Sequence, residues 1–307
     1  MDYGVGRHDY QGDSSQPLHS AFPTIGVIGA PPVTSMISST ASTLGIKVIE
    51  LPAEPTTLIS HHEGVDHCSL IWCQEGALTE SAITTLEAAG LHIFPSPQMF
   101  ARRRALHLPG GPAQFSLMVA RSAHNQAATW TVTELSYSSD ILTGSITPPP
   151  NLSPRVLVKA QAMALESAAS LSLIGVMSMR FDLVSDEILV RDIVFGPERD
   201  GLWTIEGART SQVEQHIRAI LDLPLGDTSH TAAHTVVEVF HKGVKPDMYR
   251  PYLHLMARTP LLKFYQYAHV HASGEVAGHL SISGDNLDYL RQEVLHAVAY
   301  ISGEVDE

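Results

Sequence analysis

"GLWTIEGARTSQVEQHIRAILDLPLGD", residues 201–227, is the stretch on which the reading of this chain turns. Trp203, Ile205, Val213, Ile217, Ile220 and Leu221 form an apolar stripe, and their spacing predicts a helix over 208–221. Ser211 followed three residues on by Glu214 has capping-box spacing. Thr210, Ser211, Gln212 and Glu214 therefore read as helix-start residues rather than as a catalytic set. "LDLPLG" ends the helix and leads into the last part of the chain. Just upstream, "GVMSMRFDLVSDEILVRDIVF" (175–195) alternates around a turn at Ser185, Asp186 and Glu187 and reads as a β-hairpin. That turn sets 180 opposite 192, and facing residues of paired strands sit ~5 Å apart at Cβ. Arg180 and Asp192 are expected either to form an ion pair or to stand as two solvated charges on an edge hairpin.

Working outward, "TIGVIGA" (24–30) is a short apolar run ending in glycine, as a buried parallel strand does. "VTSMISSTASTLG" follows as a helix and "IKVIEL" (46–51) as a second strand, which completes a βαβ unit. "HCSLIWC" (67–73), a helix in "LTESAITTLEAAG" with Thr79 as cap and Glu80 in its first turn, and "LHIFPS" (91–96) complete a doubly wound lobe. After the Gly/Pro-rich "HLPGGPAQ" (107–114) come the strand-like "QFSLMVARS", "ATWTVTELSYS" and "DILTGSITPPP", then a helix over 154–174. Beyond 229 lie a strand "HTVVEVF", helix-like "PDMYRPYLHLMA", strands "KFYQYAHV" and "EVAGHLSIS", and a closing helix at 285–302.

Composition narrows the function. The 307 residues carry 19 Lys plus Arg against 32 Asp plus Glu, a formal net charge of −13. Such a surface repels nucleic acid and anionic membranes, and "ARRRAL" (101–106) is too short to reverse that. Neither class of partner is expected. No apolar run reaches the ~18 residues of a membrane span. Residues 1–21 are polar and read as a disordered tail without a secretory signal. Cys68 and Cys73 read as small buried side chains of a cytoplasmic protein rather than as a disulfide framework. "HHEGVDHC" (61–68) offers His61, His62, Glu63, Asp66 and His67 as metal ligands, but a solvated loop is the better reading in a chain with 17 histidines.

The 201–227 stretch closely resembles the end of the ATP-grasp domain in the carboxyaminoimidazole ribonucleotide synthase (PurK) family of purine biosynthesis. "IGVIGA", "FPSPQMF", "QFSLMVARS", "GVMSMRFDLV" and "AGHLSISG" resemble further family segments in the same order. The resemblance implies an α/β fold in three parts. These are a doubly wound pre-ATP-grasp lobe at 22–106, a shortened ATP-grasp α+β domain at 107–228, and a small C-terminal α/β lobe at 229–307.

It also implies an ATP- and Mg²⁺-dependent carboxylating ligase, whose working residues this chain has exchanged. The family's metal-binding glutamate falls on Arg180 and its Asn-Glu pair on Arg191 and Asp192. Its "RPHNSGH" aligns with "GPERDGL" (196–202), where Pro197 and Gly201 survive while Gly196, Glu198 and Leu202 replace an arginine and two histidines. Trp203 follows unchanged. Farther on, the family's cationic positions read His269, Glu275 and Val276, while Gly278 and His279 remain. The first glycine-rich turn, "GGGQLG" in the family, reads "GAPPVT", and Pro31 and Pro32 remove two N–H groups. Between "PSPQMFARRRAL" and "QFSLMVARS" the family inserts the lobe that closes over ATP.

The chain is accordingly expected to be a degenerate, non-catalytic homologue. Arg180 and Arg191 replace the metal site, and no metal, ATP or other cofactor is held. Asp192, Pro197, Gly201, Trp203, Gly278 and His279 are the remnant of the active-site motif. Pairing with itself or with an intact synthase subunit is expected. The alternative is residual synthase activity, or binding of a purine nucleotide in the cleft between the lobes.

Overall fold

A computed structural model describes residues 23–59, 65–241, 248–267 and 276–305. The tail read over 1–21 and the positions His61, His62, Glu63, His269 and Glu275 lie outside them.

The N-terminal lobe is a parallel four-stranded sheet in the order β2-β1-β3-β4. It is formed by β1 (Ile25–Ile28), β2 (Val48–Glu50), β3 (Leu70–Cys73) and β4 (Ile93–Phe94). Every residue of β1 and β3 is buried, as expected of strands covered on both faces. Helices α1 (Val33–Thr43), α2 (Pro55–Ile59) and α3 (Glu80–Ala88) connect them. Thr79 caps α3 by accepting a hydrogen bond from the Ala82 N–H at 3.2 Å. Helix α4 (Pro97–Arg104) was not read from the sequence, although Ser96 caps it and Pro97 opens it. Arg102 on Ser170 and Ser172 and Arg103 on the Ile193 carbonyl anchor the lobe to its surroundings, while Arg103 on Glu75 and Arg104 on Glu80 bond within it.

Residues 105–114 cross directly from α4 to β5 (Phe115–Arg121). The crossing is tied to the hairpin, with Gly110 N–H donating to Arg191 O at 2.8 Å and Gln114 N–H to an Asp182 carboxylate oxygen at 2.9 Å. A larger, mainly antiparallel sheet follows. It comprises β5, β6 (Ala127–Thr129), β7 (Thr133–Ser138), β8 (Ile141–Thr147), β9 (Gly175–Val184), β10 (Glu187–Phe195), β11 (His234–His241), β12 (Lys263–Gln266) and β13 (Val276–Gly284). Its order is β10-β9-β5-β7-β8-β11-β13-β12, with β6 beside β5. The C-terminal strands thus continue the central sheet through the β8–β11 pairing. Helix α5 (Pro154–Ser170) lays Val156, Ala160, Ala164 and Ala168 on one side of it, and small side chains at that spacing let the helix approach closely.

Two local expectations are corrected. The helix predicted over 208–221 begins only at Gln212. A short α6 (Thr204–Gly207) precedes it, and Ser211 is the cap of α7 (Gln212–Ile220), accepting from the Glu214 N–H at 3.2 Å. A cap residue must leave helical geometry to present its hydroxyl, so the helix cannot extend back through it. The hairpin turn is Ser185–Asp186 alone, with φ of 52° and 63°, the geometry of a tight turn. A bulge between Val190 and Asp192 then restores the pairing of 192 with 180.

The chain closes with α8 (Tyr249–Arg258) and α9 (Leu287–Ser302), the latter covering β11 and β13 over a second core. No helix among the described residues is long and apolar enough to cross a membrane.

Candidate functional site

Arg180 leaves β9 on the face covered by residues 197–210. Its partner is not Asp192. Arg180 Nε lies 3.1 Å from Asp200 Oδ2, and its Nη2 lies 3.8 Å from Glu198 Oε2. Asp200 sits in the 3-10 turn Arg199–Gly201, is fully buried, and also accepts from the Ser178 hydroxyl. The fully buried Asp200 carboxylate gains more from a nearby guanidinium than the half-buried Asp192, because ion pairing and hydrogen bonding must offset its greater loss of hydration. Asp192 instead accepts from the Ile193 N–H at 2.8 Å and borders a hollow with Glu75, Arg103, Arg104 and His107. Arg191 reaches Asp182, Nε to Oδ2 at 3.6 Å. The hairpin therefore directs Arg180 and the Arg191–Asp192 pair to different places.

Asp200 holds the Arg180 guanidinium firmly in its charged form. Glu198 behaves oppositely to a surface acid: burial, then the neighbouring Asp200 charge, push its carboxyl up to about 7 against the pull of Arg180. Its backbone is held on both sides by one side chain. Glu198 N–H donates to Gln212 Oε1 at 3.0 Å, and Gln212 Nε2 donates to Glu198 O at 2.6 Å. Gln212 N–H in turn donates to Thr204 Oγ1, which donates to Gly201 O. A Cβ on Gly201 would collide with the Gln212 amide and Met118 Sδ, so the close crossing requires glycine there. Gln215 clamps Gly226 in the same two-sided way, and Glu214 pairs with Arg218 at 2.5 Å. Thr204, Gln212 and Gln215 are thus occupied in holding nearby backbone.

The remaining expected positions scatter around a cleft. Its two adjoining parts, about 290 and 220 Å³, lie between α1, residues 197–212 and Tyr267. Pro197 lines it. Trp203 is fully buried beneath, against the His230 ring at 5.1 Å. His279 is buried behind, its ring stacked on Tyr265 at 4.4 Å and its Nδ1 2.9 Å from the Tyr267 hydroxyl. Burial lowers its pKa to about 3, so it stays neutral. Gly278 passes under Phe240, where a side chain would collide. At the first turn, the Ala30 N–H that precedes Pro31 and Pro32 is taken by Gln74 Oε1 at 3.0 Å. Sequence reading missed Gln74, Glu198 and Asp200 as members of the centre. The available signal was a pair of acids two residues apart, following a strand that carries an unmatched arginine.

The magnesium ion implied by the resemblance does not fit these residues. A guanidinium occupies one position and cannot ligate a cation. Arg180 and Ser178 both engage Oδ2 of Asp200, and its buried Oδ1 is left without a hydrogen-bond partner. Among the described residues no group of three or more His, Cys, Asp or Glu side chains converges on a metal position. "HHEGVDHC" falls partly outside them.

Residues 113–213 match the ATP-grasp domain model. The chain is 32% identical over 193 residues to N5-carboxyaminoimidazole ribonucleotide synthase of Mycobacterium tuberculosis (strain ATCC 25618 / H37Rv), covering 62% of this chain and 45% of that protein. The Mycobacterium leprae (strain TN) enzyme is 36% identical over 182 residues, covering 57% and 42%. The chain thus spans less than half the length of these curated relatives. The Thermus thermophilus synthetase structure superposes with a TM-score of 0.76 at 20% identity, over 92% of this chain and 99% of that one, which is a likeness of fold. Fold and matched stretch together give the chain an ATP-grasp fold. Over the matched stretch the chain is similar to N5-carboxyaminoimidazole ribonucleotide synthases.

Proposed function

We propose that this chain is a member of the synthase family that does not perform ATP-dependent carboxylation, and that it serves as a non-catalytic partner pairing with itself or with an intact synthase subunit. The ion pair of Arg180 with the fully buried Asp200 carries this reading. It sets a permanent cation where divalent-metal chemistry would need free carboxylates. Two observations support it. The first turn offers few N–H groups to an anion, since Pro31 and Pro32 have none and that of Ala30 is spent on Gln74. Residues 105–114 cross directly from α4 to β5, bonded to β10 through Gly110 and to Asp182 through Gln114.

A synthase from Aspergillus clavatus has been solved with ADP and 5-aminoimidazole ribonucleotide, which supplies the ligands for a test. Purified protein with ATP, Mg²⁺, bicarbonate and aminoimidazole ribonucleotide is expected to give no carboxylated product above background. Its melting temperature is expected to stay flat with ATP–Mg²⁺, since a ligand held by the folded state raises it by mass action. Product formed in step with ATP consumption would end the reading. Gel filtration with a full-length synthase from the same organism tests the pairing separately, and unshifted elution of both proteins argues against it. The open cleft beside α1 favours a second reading as a binder of a small purine intermediate, which a melting shift with aminoimidazole ribonucleotide alone would support.

A further inference from the structure

The two parts of the cleft beside α1 differ in chemistry. The narrower part, about 220 Å³, carries Glu198 and Arg199. Among the described residues that line the wider part, about 290 Å³, none is Asp, Glu, Lys, Arg or His. A phosphate or carboxylate entering it would lose water and meet no counter-charge to offset that loss. The turn before α1 gives an anion no help either. Pro31 and Pro32 lack N–H groups, and that of Ala30 is spent on Gln74.

The lining of the wider part is of three kinds. Tyr265 and Tyr267 contribute rings whose hydroxyls are already committed. Tyr265 donates to Glu206, and the Tyr267 hydroxyl lies 2.9 Å from His279 Nδ1. The buried His279 ring is also stacked on Tyr265, with centroids 4.4 Å and planes 4° apart. Both tyrosines therefore offer the pocket ring surface, and their positions are fixed before a ligand arrives, which lowers the cost of binding. Met36, Ile205 and Val213 add apolar surface. Helix α1 supplies Ser35, Ser39 and Thr40, of which Ser35 and Ser39 stand one turn apart on one face. A hydroxyl both donates and accepts, so these groups can match the polar rim of a ligand that has no charge. An aliphatic ligand would make no use of them.

We propose that the wider part of the cleft binds an uncharged planar heteroaromatic molecule, its ring against Tyr265 and Tyr267 and its rim atoms on the α1 hydroxyls. The inference rests on the reading of the cleft as a small-molecule site and narrows it to a ligand without a phosphate. It does not depend on whether the chain turns over ATP.

The test is isothermal titration of the full chain with adenine, indole and nicotinamide as flat uncharged rings. Adenosine 5′-monophosphate serves as a ring bearing a phosphate, and cyclohexylmethanol as an uncharged compound that is not flat. At least one of the three rings is expected to bind saturably, about tenfold or more tighter than either comparison compound. Ser39→Trp, at an exposed helix position, fills the pocket and is expected to weaken that binding about tenfold or more. Tyr267→Leu removes ring surface and is expected to weaken it roughly three- to tenfold. Unchanged helix content and urea midpoint show that both variants fold. Equal or tighter binding of the monophosphate or of cyclohexylmethanol overturns the proposal, as does undiminished binding by Ser39→Trp. Binding of aminoimidazole ribonucleotide with none of the three rings overturns it while sparing the small-molecule reading of the cleft. Binding of none of these compounds removes both.

Discussion

Asp200 sets the character of the central site, because a carboxylate without solvent contact must be matched by a cation that cannot be lost. Arginine keeps its proton throughout the accessible pH range, so Arg180 is that cation. Arg180→Leu strands the acid and is expected to cost about 3–5 kcal/mol in urea unfolding. Adding Asp200→Asn should recover a large part of the loss, and a double variant as unstable as the single one would argue against the pairing. Gln212→Ala removes both bonds that fix the Glu198 backbone and is expected to cost roughly 2–3 kcal/mol. A loss under about 0.5 kcal/mol, the ordinary surface value, would mean that the clamp is idle. Sequence reading singled out Arg180 but gave it the wrong partner. Asp192 was identifiable by strand register, whereas Asp200 arrives through a turn and a fold-back that no periodicity encodes.

Among the elements, α7 contributes most to joining the lobes. Val213, Ile217 and Ile220 enter one core with Ile25, Ile37 and Trp72 of the N-terminal lobe, while His216 on another side of the helix accepts from the Val176 N–H of β9 at 3.1 Å. Ile217→Ala is expected to cost about 2–5 kcal/mol and to loosen both lobes together. Protection from hydrogen exchange lost in one lobe alone would contradict that role. On β11, burial pushes the Glu238 carboxyl up to about 7. The folded state therefore holds this proton more tightly than the unfolded one. The associated stability is complete below the unfolded pKa and is lost as pH rises through about 7. Glu238→Gln should accordingly gain roughly 2 kcal/mol on the parent at pH ~8.5 compared with pH ~5. A difference that does not vary with pH would show the acid to be solvated. Alternation revealed the hairpin of β9 and β10, and hydroxyl caps revealed α3 and the start region of α7. The bulge at Arg191 and helix α4 escaped, since the first depends on cross-strand bonding and the second on short-range signals that also suit a turn.

At the scale of the whole molecule, the crossing at 105–114 joins two sheets that are otherwise linked by α7 and by the arginines of α4. Replacing Gly110 and Gly111 by alanine is expected to destabilise the protein by about 1 kcal/mol or more per site, because their φ values of 71° and 87° suit residues without Cβ. An unchanged urea midpoint would mean that this crossing does not need its present shape. The fold class followed from apolar runs and their order, and the match to the ATP-grasp model, residues 113–213, includes the hairpin and stops at the second residue of α7. How the C-terminal strands share the central sheet did not follow, since strand order is set by pairing across residues far apart in the chain.

By itself, the sequence determined where most of the strands and helices lie, that the chain is acidic overall, and that a guanidinium stands at position 180. Those properties depend on side-chain periodicity and charge, which are local. Only the tertiary structure decided that Asp200 rather than Asp192 receives that guanidinium, that Gln212 grips Glu198, and that Gln215 clamps Gly226. Each of these depends on which groups lose water together, and that is settled when distant segments pack.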